Sequence, residues 1–274
     1  MTDETNDEVT SLDLDRLAAL HSGVVGSTIE YAHTLGSTMD EARKLAKQGA
    51  AEGLVVVADR QTKGRGRFDR TWVSTPGLDL TFSVVLRPDA DQLRGVNMAT
   101  TMAVQDTATA LTGRPAVIKW PNDVQMSGKK LSGILVESVM SATGGLEFAV
   151  IGIGLNVNLR PDHHPEIRDI ATSLAQQAGA ELDRTDVLLN LLARLDELYA
   201  EIRSGTDLSG RWAERIDTLG RCVDVTWGDR TVSGRATGVD RDGNLLIQEH
   251  GADGQRTVVV AGEVTLRPGS GGSP

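Results

Sequence analysis

The chain has 274 residues, 38 acidic against 28 basic side chains, a net charge of −10, and 39% hydrophobic and 24% charged residues. This is the composition of a soluble globular protein with room for one catalytic domain and a small second one. No apolar run approaches the roughly 18 residues a membrane helix needs; the lone Cys222 excludes an internal disulfide and fits a reducing cytoplasm; and the acidic balance argues against a main role in gripping nucleic acid.

The N-terminal run MTDETNDEVTSLDLD is acidic and lacks the n-region and h-region of a signal peptide, and residues 1–10 are expected to be disordered. Ser37 and Thr38, followed by Asp40 and Glu41, read as a capping box. Met39, Ala42 and Leu45 recur behind it at helical spacing, so a helix starts here. The two hydroxyls either cap the helix alone or also touch a ligand, and the roles are compatible because a helix N-terminus offers free N–H groups. Residues 54–58 form a buried strand and residues 80–86, which alternate more, its neighbour. Between them lies QTKGRGRFDRTW, Gln61 to Trp72, where Gly64 and Gly66 alternate with Arg65 and Arg67 behind Lys63. Glycine lets a backbone approach a ligand closely, and planar Arg forks match carboxylate and phosphate oxygens. The segment is thus a basic loop between strands, suited to wrapping an anion; taken alone, it also reads as a solvated basic turn.

Residues 96–111 carry Val96, Ala99, Ala103, Thr107 and Ala110 on one face, which predicts a helix packed on the sheet, and Gly113-Arg114-Pro115 stops it. Residues 117–120 are a short strand ended by the turn Pro121-Asn122-Asp123, and 133–139 and 147–157 are strands joined by a turn at 141–145. Residues 184–203 form the clearest helix, with Leu188, Leu191, Leu192, Leu195, Leu198, Tyr199 and Ile202 in one apolar stripe. From about Leu219 short strands follow at 222–227, 231–239, 245–249 and 257–260, separated by Gly/Asp turns. They predict a β-barrel of about 50 residues, small for a domain standing alone. Residues 269–274 are expected to be a flexible tail. Mixed strands and helices with adjacent hairpins favour α/β or α+β. There is no P-loop, and Gly152-x-Gly154 lacks the third glycine of a dinucleotide fingerprint. His163-His164 has no further ligand at metal spacing, and Cys222 reads as core rather than nucleophile.

Ser37-Thr38, Gln61 with the GRGR loop, KWPND at 119–123, Lys130-Leu131-x-Gly133-Ile134-Leu135 and Gly152-x-Gly154-x-Asn156, in that order, resemble the biotin protein ligases. That family adenylates biotin and attaches it to a carrier lysine. The resemblance runs from about Gly36 to Asn158 in its motifs and more loosely to Arg267. It implies a mixed-sheet, class II synthetase-like α/β (α+β) catalytic domain over residues 11–218 and an SH3-like β-barrel over 219–268. It also implies ATP and Mg²⁺ with biotin as substrate, and no tightly bound prosthetic group. The partner implied is the biotin carboxyl carrier domain of acyl-CoA or pyruvate carboxylases, with neither nucleic acid nor membrane involved and a cytoplasmic location. No helix-turn-helix fits before the first motif, so the chain is expected to be the short form without the DNA-binding repressor domain of some members.

Residue by residue, the resemblance places Ser37, Thr38 and Gln61, with the Gly64 and Gly133 backbones, around the biotin ureido ring. Met39 stands where the family usually has Asn. Gly66 belongs to the loop, while Arg65 and Arg67 hold the phosphates and the carboxylate side. Lys130 lies between the biotin carboxylate and the α-phosphate, Trp72 stacks on adenine and Asn156 contacts it. Arg65, Arg67 and Lys130 are the candidate cations that neutralise the anionic transition state, with Lys130 and Arg65 the catalytic pair. Asp123 is the candidate to orient the incoming amine and accept its proton, or else a turn Asp capping the chain reversal. Phe68-Asp69 replace the Arg-Gly with which the family's loop commonly continues. Lipoate–protein ligases share the adenylation logic, but their Arg-rich segment leading into three glycines is absent. A nucleic-acid module and a ligase-derived biotin sensor are the remaining alternatives. The acidic balance opposes the first, and the joint presence of Lys130, Asp123 and GRGR opposes the second.

Overall fold

The computed structural model describes residues 12–142, 144–250 and 255–266, so the expected disordered start and flexible tail lie outside the described residues. The chain runs α1 (Leu14–Leu20), β1 (Thr28–Leu35), α2 (Thr38–Lys47), β2 (Leu54–Gln61), β3 (Leu80–Leu86), α3 (Ala90–Thr112), β4 (Ala116–Lys119), β5 (Asp123–Met126), β6 (Lys129–Met140) and β7 (Leu146–Leu155). Then follow α4 (Leu174–Ala178), α5 (Arg184–Arg203), α6 (Ser209–Ala213), β8 (Cys222–Trp227), β9 (Arg230–Val239), β10 (Leu245–Glu249), β11 (Arg256–Val259) and β12 (Glu263–Leu266).

The first seven strands form one mixed sheet in the order β1-β2-β3-β7-β6-β5-β4. Only β1 and β2 are parallel, joined through α2; the remaining neighbours are antiparallel. Helix α2 covers one face, where Met39, Ala42 and Ala46 pack with Val56, Val85, Phe148 and Val150. The opposite face carries α3 and α5, packed on Val55, Val57, Phe82, Val84 and Ile151. Burial on both faces explains why β3 is buried at every position rather than at alternate ones, as its sequence suggested.

Several elements differ from the sequence reading. The helix expected over 96–111 begins at Ala90, where Asp89 and Gln92 form a reciprocal capping box, and it ends at Gly113, whose φ of 65° needs no Cβ to be avoided. Its buried face includes Ala108 while Ala110 is exposed. The capping box expected at α2 does not form. Ser37 sits at the N-cap without a side-chain cap bond, and the Thr38 N–H donates to Gln61 Oε1 at 2.8 Å instead. A neighbouring strand's amide thus caps this buried helix start. Strand β1, an edge strand with no clear buried face, left no signal in the sequence.

The C-terminal segment is a five-stranded antiparallel sheet, β11-β10-β9-β8-β12, with β12 paired to β8 as a strand the sequence did not reveal. Its Val223, Val225, Ala236, Leu245 and Ile247 belong to the same apolar cluster as the α3/α5 side of the large sheet. The Trp120 indole N–H, at the end of β4, donates to the Gly243 carbonyl at 2.8 Å, tying the two sheets together.

Candidate active site

A cleft of about 570 Å³ opens on the α2 side of the large sheet, within the range usual for small-ligand sites, roughly 300–1,000 Å³. Its floor follows from strand register. Gly133 in β6 faces Gly154 in β7, and Leu135 faces Gly152, which in turn faces Ser83 in β3. The glycines remove side chains where two others must lie flat. A Cβ on Gly154 would come 2.3 Å from Trp72 Cε2, and one on Gly152 would come 2.7 Å from Met39 Sδ. Trp72 therefore rests directly on backbone, and Met39 fills the floor beside it.

At one end the start of α2 supplies Ser37, Thr38 and Met39, all buried. Gln61 Oε1 accepts from both the Thr38 N–H, at 2.8 Å, and the Thr38 hydroxyl, at 3.1 Å, and Thr38 Oγ1 lies 2.8 Å from Ser83 Oγ. With the Gln61 oxygen occupied twice, its NH₂ is the half of the amide left to meet a ligand acceptor. Ser83 was missed by the sequence reading, because a buried strand serine carries no signal until the packing of α2 on the sheet brings Thr38 against it.

At the other end, the Trp120-Pro121 cis peptide and the turn after it set Asp123 at the first position of β5. The β5–β6 register, with a shift between Val124 and Gln125, brings Lys130 alongside. Lys130 Nζ lies 2.8 Å from Asp123 Oδ1 and 5.6 Å from the centroid of the Trp72 ring. The Trp72 Nε1–H is buried without a partner among the described residues. The Lys130 backbone bonds on both sides to segment 170–172, so Ile170 and Ala171 also line the cleft. Asn156, buried, donates through Nδ2 to the Thr172 carbonyl at 2.9 Å and fixes the same segment.

The GRGR loop is folded into a small hairpin. Arg65 bridges to Thr71, the Gly66 N–H donates to the Arg70 carbonyl at 2.7 Å, and buried Gly64 accepts from the Trp72 N–H at 3.3 Å. Its arginines are met one by one: Arg65 by Asp40 at 2.7 Å, Arg67 by Asn122 Oδ1 at 3.0 Å, and Arg70 by Glu263 at 2.5 Å. Burial lowers the Arg67 pKa, while Asp123 and Glu263 pull it upward. Phe68 is exposed at a φ of 56°, in the left-handed region that costs a non-glycine residue, with the Arg67 guanidinium 4.8 Å from its ring centroid. Asn122 stands within the quoted KWPND motif, whereas the rim residues Gly262, Glu263 and Val264 come from the C-terminal sheet and had no signal in the sequence.

The cleft thus gathers Ser37, Thr38, Met39 and Gln61 at one end and Lys130, Asp123 and Trp72 at the other, with Arg65 and Arg67 on its wall. Arg65, Arg67 and Lys130 are set beside the glycine, Met39 and Trp72 floor, with Asp123 and Glu263 among them. The family model described as the biotin/lipoate A/B protein ligase family matches residues 31–156, and that of the biotin protein ligase C terminal domain matches residues 218–267. The bifunctional ligase/repressor BirA of Bacillus subtilis is 36% identical over 84% of this chain and 72% of its own length. The biotin–[acetyl-CoA-carboxylase] ligase of Mycobacterium tuberculosis is 34% identical over 84% of this chain and 85% of its own. Among solved structures, the biotin protein ligase from Aquifex aeolicus in complex with biotin and ATP superposes with a TM-score of 0.72 at 31% identity, covering 88% of this chain and 98% of that one. The chain belongs to the biotin protein ligase family.

Proposed function

We propose that this protein activates biotin with ATP to biotinyl-5′-AMP and transfers the biotinyl group to one lysine of a biotin carboxyl carrier domain. The observation that carries this reading is the convergence of Lys130, Asp123 and Trp72 with the Thr38–Gln61 pair and the GRGR loop in one cleft. In the first step a biotin carboxylate oxygen attacks the α-phosphorus of ATP and pyrophosphate leaves. Two anions meet, so fixed cations lower the barrier. Lys130 serves the carboxylate and α-phosphate, and Arg65 and Arg67 serve the phosphates. Ser37, Thr38, Gln61 and the Gly64 and Gly133 backbones take the ureido ring, Met39 its apolar flank, and Gly66 allows the loop to approach. Trp72 and Asn156 take the adenine.

In the second step the carrier lysine amine attacks the acyl carbon and AMP leaves. An ordinary lysine, of pKa about 10.4, is neutral on the order of 0.1% at pH 7. Asp123 orients that amine and accepts its proton, a role supported by its place beside Lys130. Among the described residues no group of three or more His, Cys, Asp or Glu is arranged to hold a metal ion. In this reading Mg²⁺ is brought by ATP, as part of the substrate. Carriers on acyl-CoA or pyruvate carboxylases are the proposed acceptors and the cytoplasm the proposed compartment, with no nucleic-acid partner proposed; no described helix is long and apolar enough to cross a membrane.

Labelled ATP–pyrophosphate exchange is the test. Biotin is expected to drive exchange, and lipoate and octanoate are not; exchange driven by lipoate and not by biotin would overturn the reading.

A further inference from the structure

We infer that Asp79 is a positioning residue for the nucleotide end of the cleft, its carboxylate clamping together the two segments that carry Trp72 and Asn156. The inference rests on the adenylation reading above.

Asp79 immediately precedes β3 and is 2% exposed. Its Oδ2 accepts from the Thr75 N–H at 3.0 Å and its Oδ1 from the Val157 N–H at 3.1 Å. Thr75 lies on the stretch that leads from Trp72 into β3, and Val157 directly follows Asn156. One buried carboxylate therefore spans two loops distant in sequence, each holding a cleft residue. The neighbouring Leu78 carbonyl reinforces the link by accepting from the Asn158 N–H at 2.9 Å.

The surrounding charges are few and close. From α5, Arg184 donates to the Asp79 carbonyl at 3.0 Å and to Asp59 of β2 at 2.9 Å. Tyr31 and His33 of β1 flank Asp59 on its other oxygen. His164 lies 3.0 Å from Thr75 Oγ1, with Glu166 beyond it. Burial pushes the Asp79 carboxyl up to about 6, against the opposing pull of the Thr75, Val157 and Leu159 amides and of Arg184. Near neutrality Asp79 is ionised and accepts on both oxygens. Once protonated, one oxygen carries a hydrogen that opposes an N–H, and one side of the clamp opens. A displacement on the order of 1 Å at a reacting site is enough to cost about 100-fold.

The test compares wild type with Asp79→Asn, which approximates the protonated clamp, and reads KM for MgATP and for biotin in pyrophosphate exchange across pH. Dividing one protein by the other cancels the titration of the nucleotide itself. At about pH 8 the KM for MgATP is expected to rise about tenfold in Asp79→Asn with KM for biotin little changed, and the ratio should fall toward one at about pH 5. A ratio of one throughout, or one that ignores pH, would overturn the clamp. If Asp79→Asn does not fold, amide exchange in the wild type decides. Protection of the Thr75 and Val157 amides, corrected for intrinsic exchange, should drop about tenfold from about pH 7 to 5 while β3 and β7 hold. Unchanged protection would overturn the proposal. Wild type without biotin-driven exchange would instead retire the functional reading and leave the amide measurement to judge the clamp.

Discussion

Lys130 and Asp123 form an ion pair at 2.8 Å, with side chains 37% and 22% exposed, at the mouth of a wet cleft. A pair this exposed adds about 0–1 kcal/mol to stability, so its charges are better explained by chemistry. Lys130→Ala is expected to lower turnover in both half-reactions by on the order of 100-fold, the loss typical of one well-placed transition-state charge. Asp123→Asn should slow transfer to the carrier more than adenylation, because only the second step moves a proton from an amine. Single-turnover measurement of each step separates them. Equal slowing of both by Asp123→Asn would assign that residue to structure or to ATP. Both residues were legible in the sequence, since a turn at Pro121 and a strand after Lys130 fix where each begins. Their contact was not, because it depends on a register shift between β5 and β6.

At the level of the element, the GRGR loop shows how far composition carries. Two glycines and repeated cations predict a segment with no preferred conformation of its own. The folded chain sets a partner against each of its three arginines: Asp40 from the first turn of α2, Asn122 from the turn before β5, and Glu263 from β12. Two of these contacts are exposed ion pairs of small individual worth, so little holds the hairpin against rearrangement. Hydrogen exchange over residues 63–70 is expected to slow when biotin and MgATP are both present. Equal, strong protection with and without them would show a preformed loop. Arg67→Gly is expected to let adenylate form but escape faster, seen as unselective lysine labelling, because it removes a clamp while leaving Lys130 in place.

For the whole molecule, the two sheets share one apolar cluster, and the Trp120 indole joins them through the Gly243 carbonyl. Unfolding is therefore expected to be a single cooperative transition. Trp120→Phe keeps an aromatic ring but removes the indole N–H and leaves a void at this buried position, so the Gly243 carbonyl loses its partner, at a cost of about 1–3 kcal/mol. Urea denaturation should show a lower midpoint with an unchanged slope. Two separate transitions in the wild type would mean that the C-terminal sheet melts alone.

The sequence by itself determined the family, the mixed α/β class and the ends of α5 and β3, and it singled out the motif residues from Ser37 to Asn156 that meet in the cleft, because these rest on local spacing and residue chemistry. It missed β1, whose edge position leaves no buried face to pattern, β12, which is defined by its pairing with β8, and the short elements β5, α1, α4 and α6, too brief to show a period. Tertiary structure alone decided that Gln61 caps α2, that Gly152 and Gly154 form a floor beneath Met39 and Trp72, that the C-terminal sheet closes the rim, and that Asp79 joins two distant loops. Each of these depends on which strands lie side by side and in what register. Such pairings are fixed by burying one shared core, a property of the whole chain that no short stretch of sequence carries.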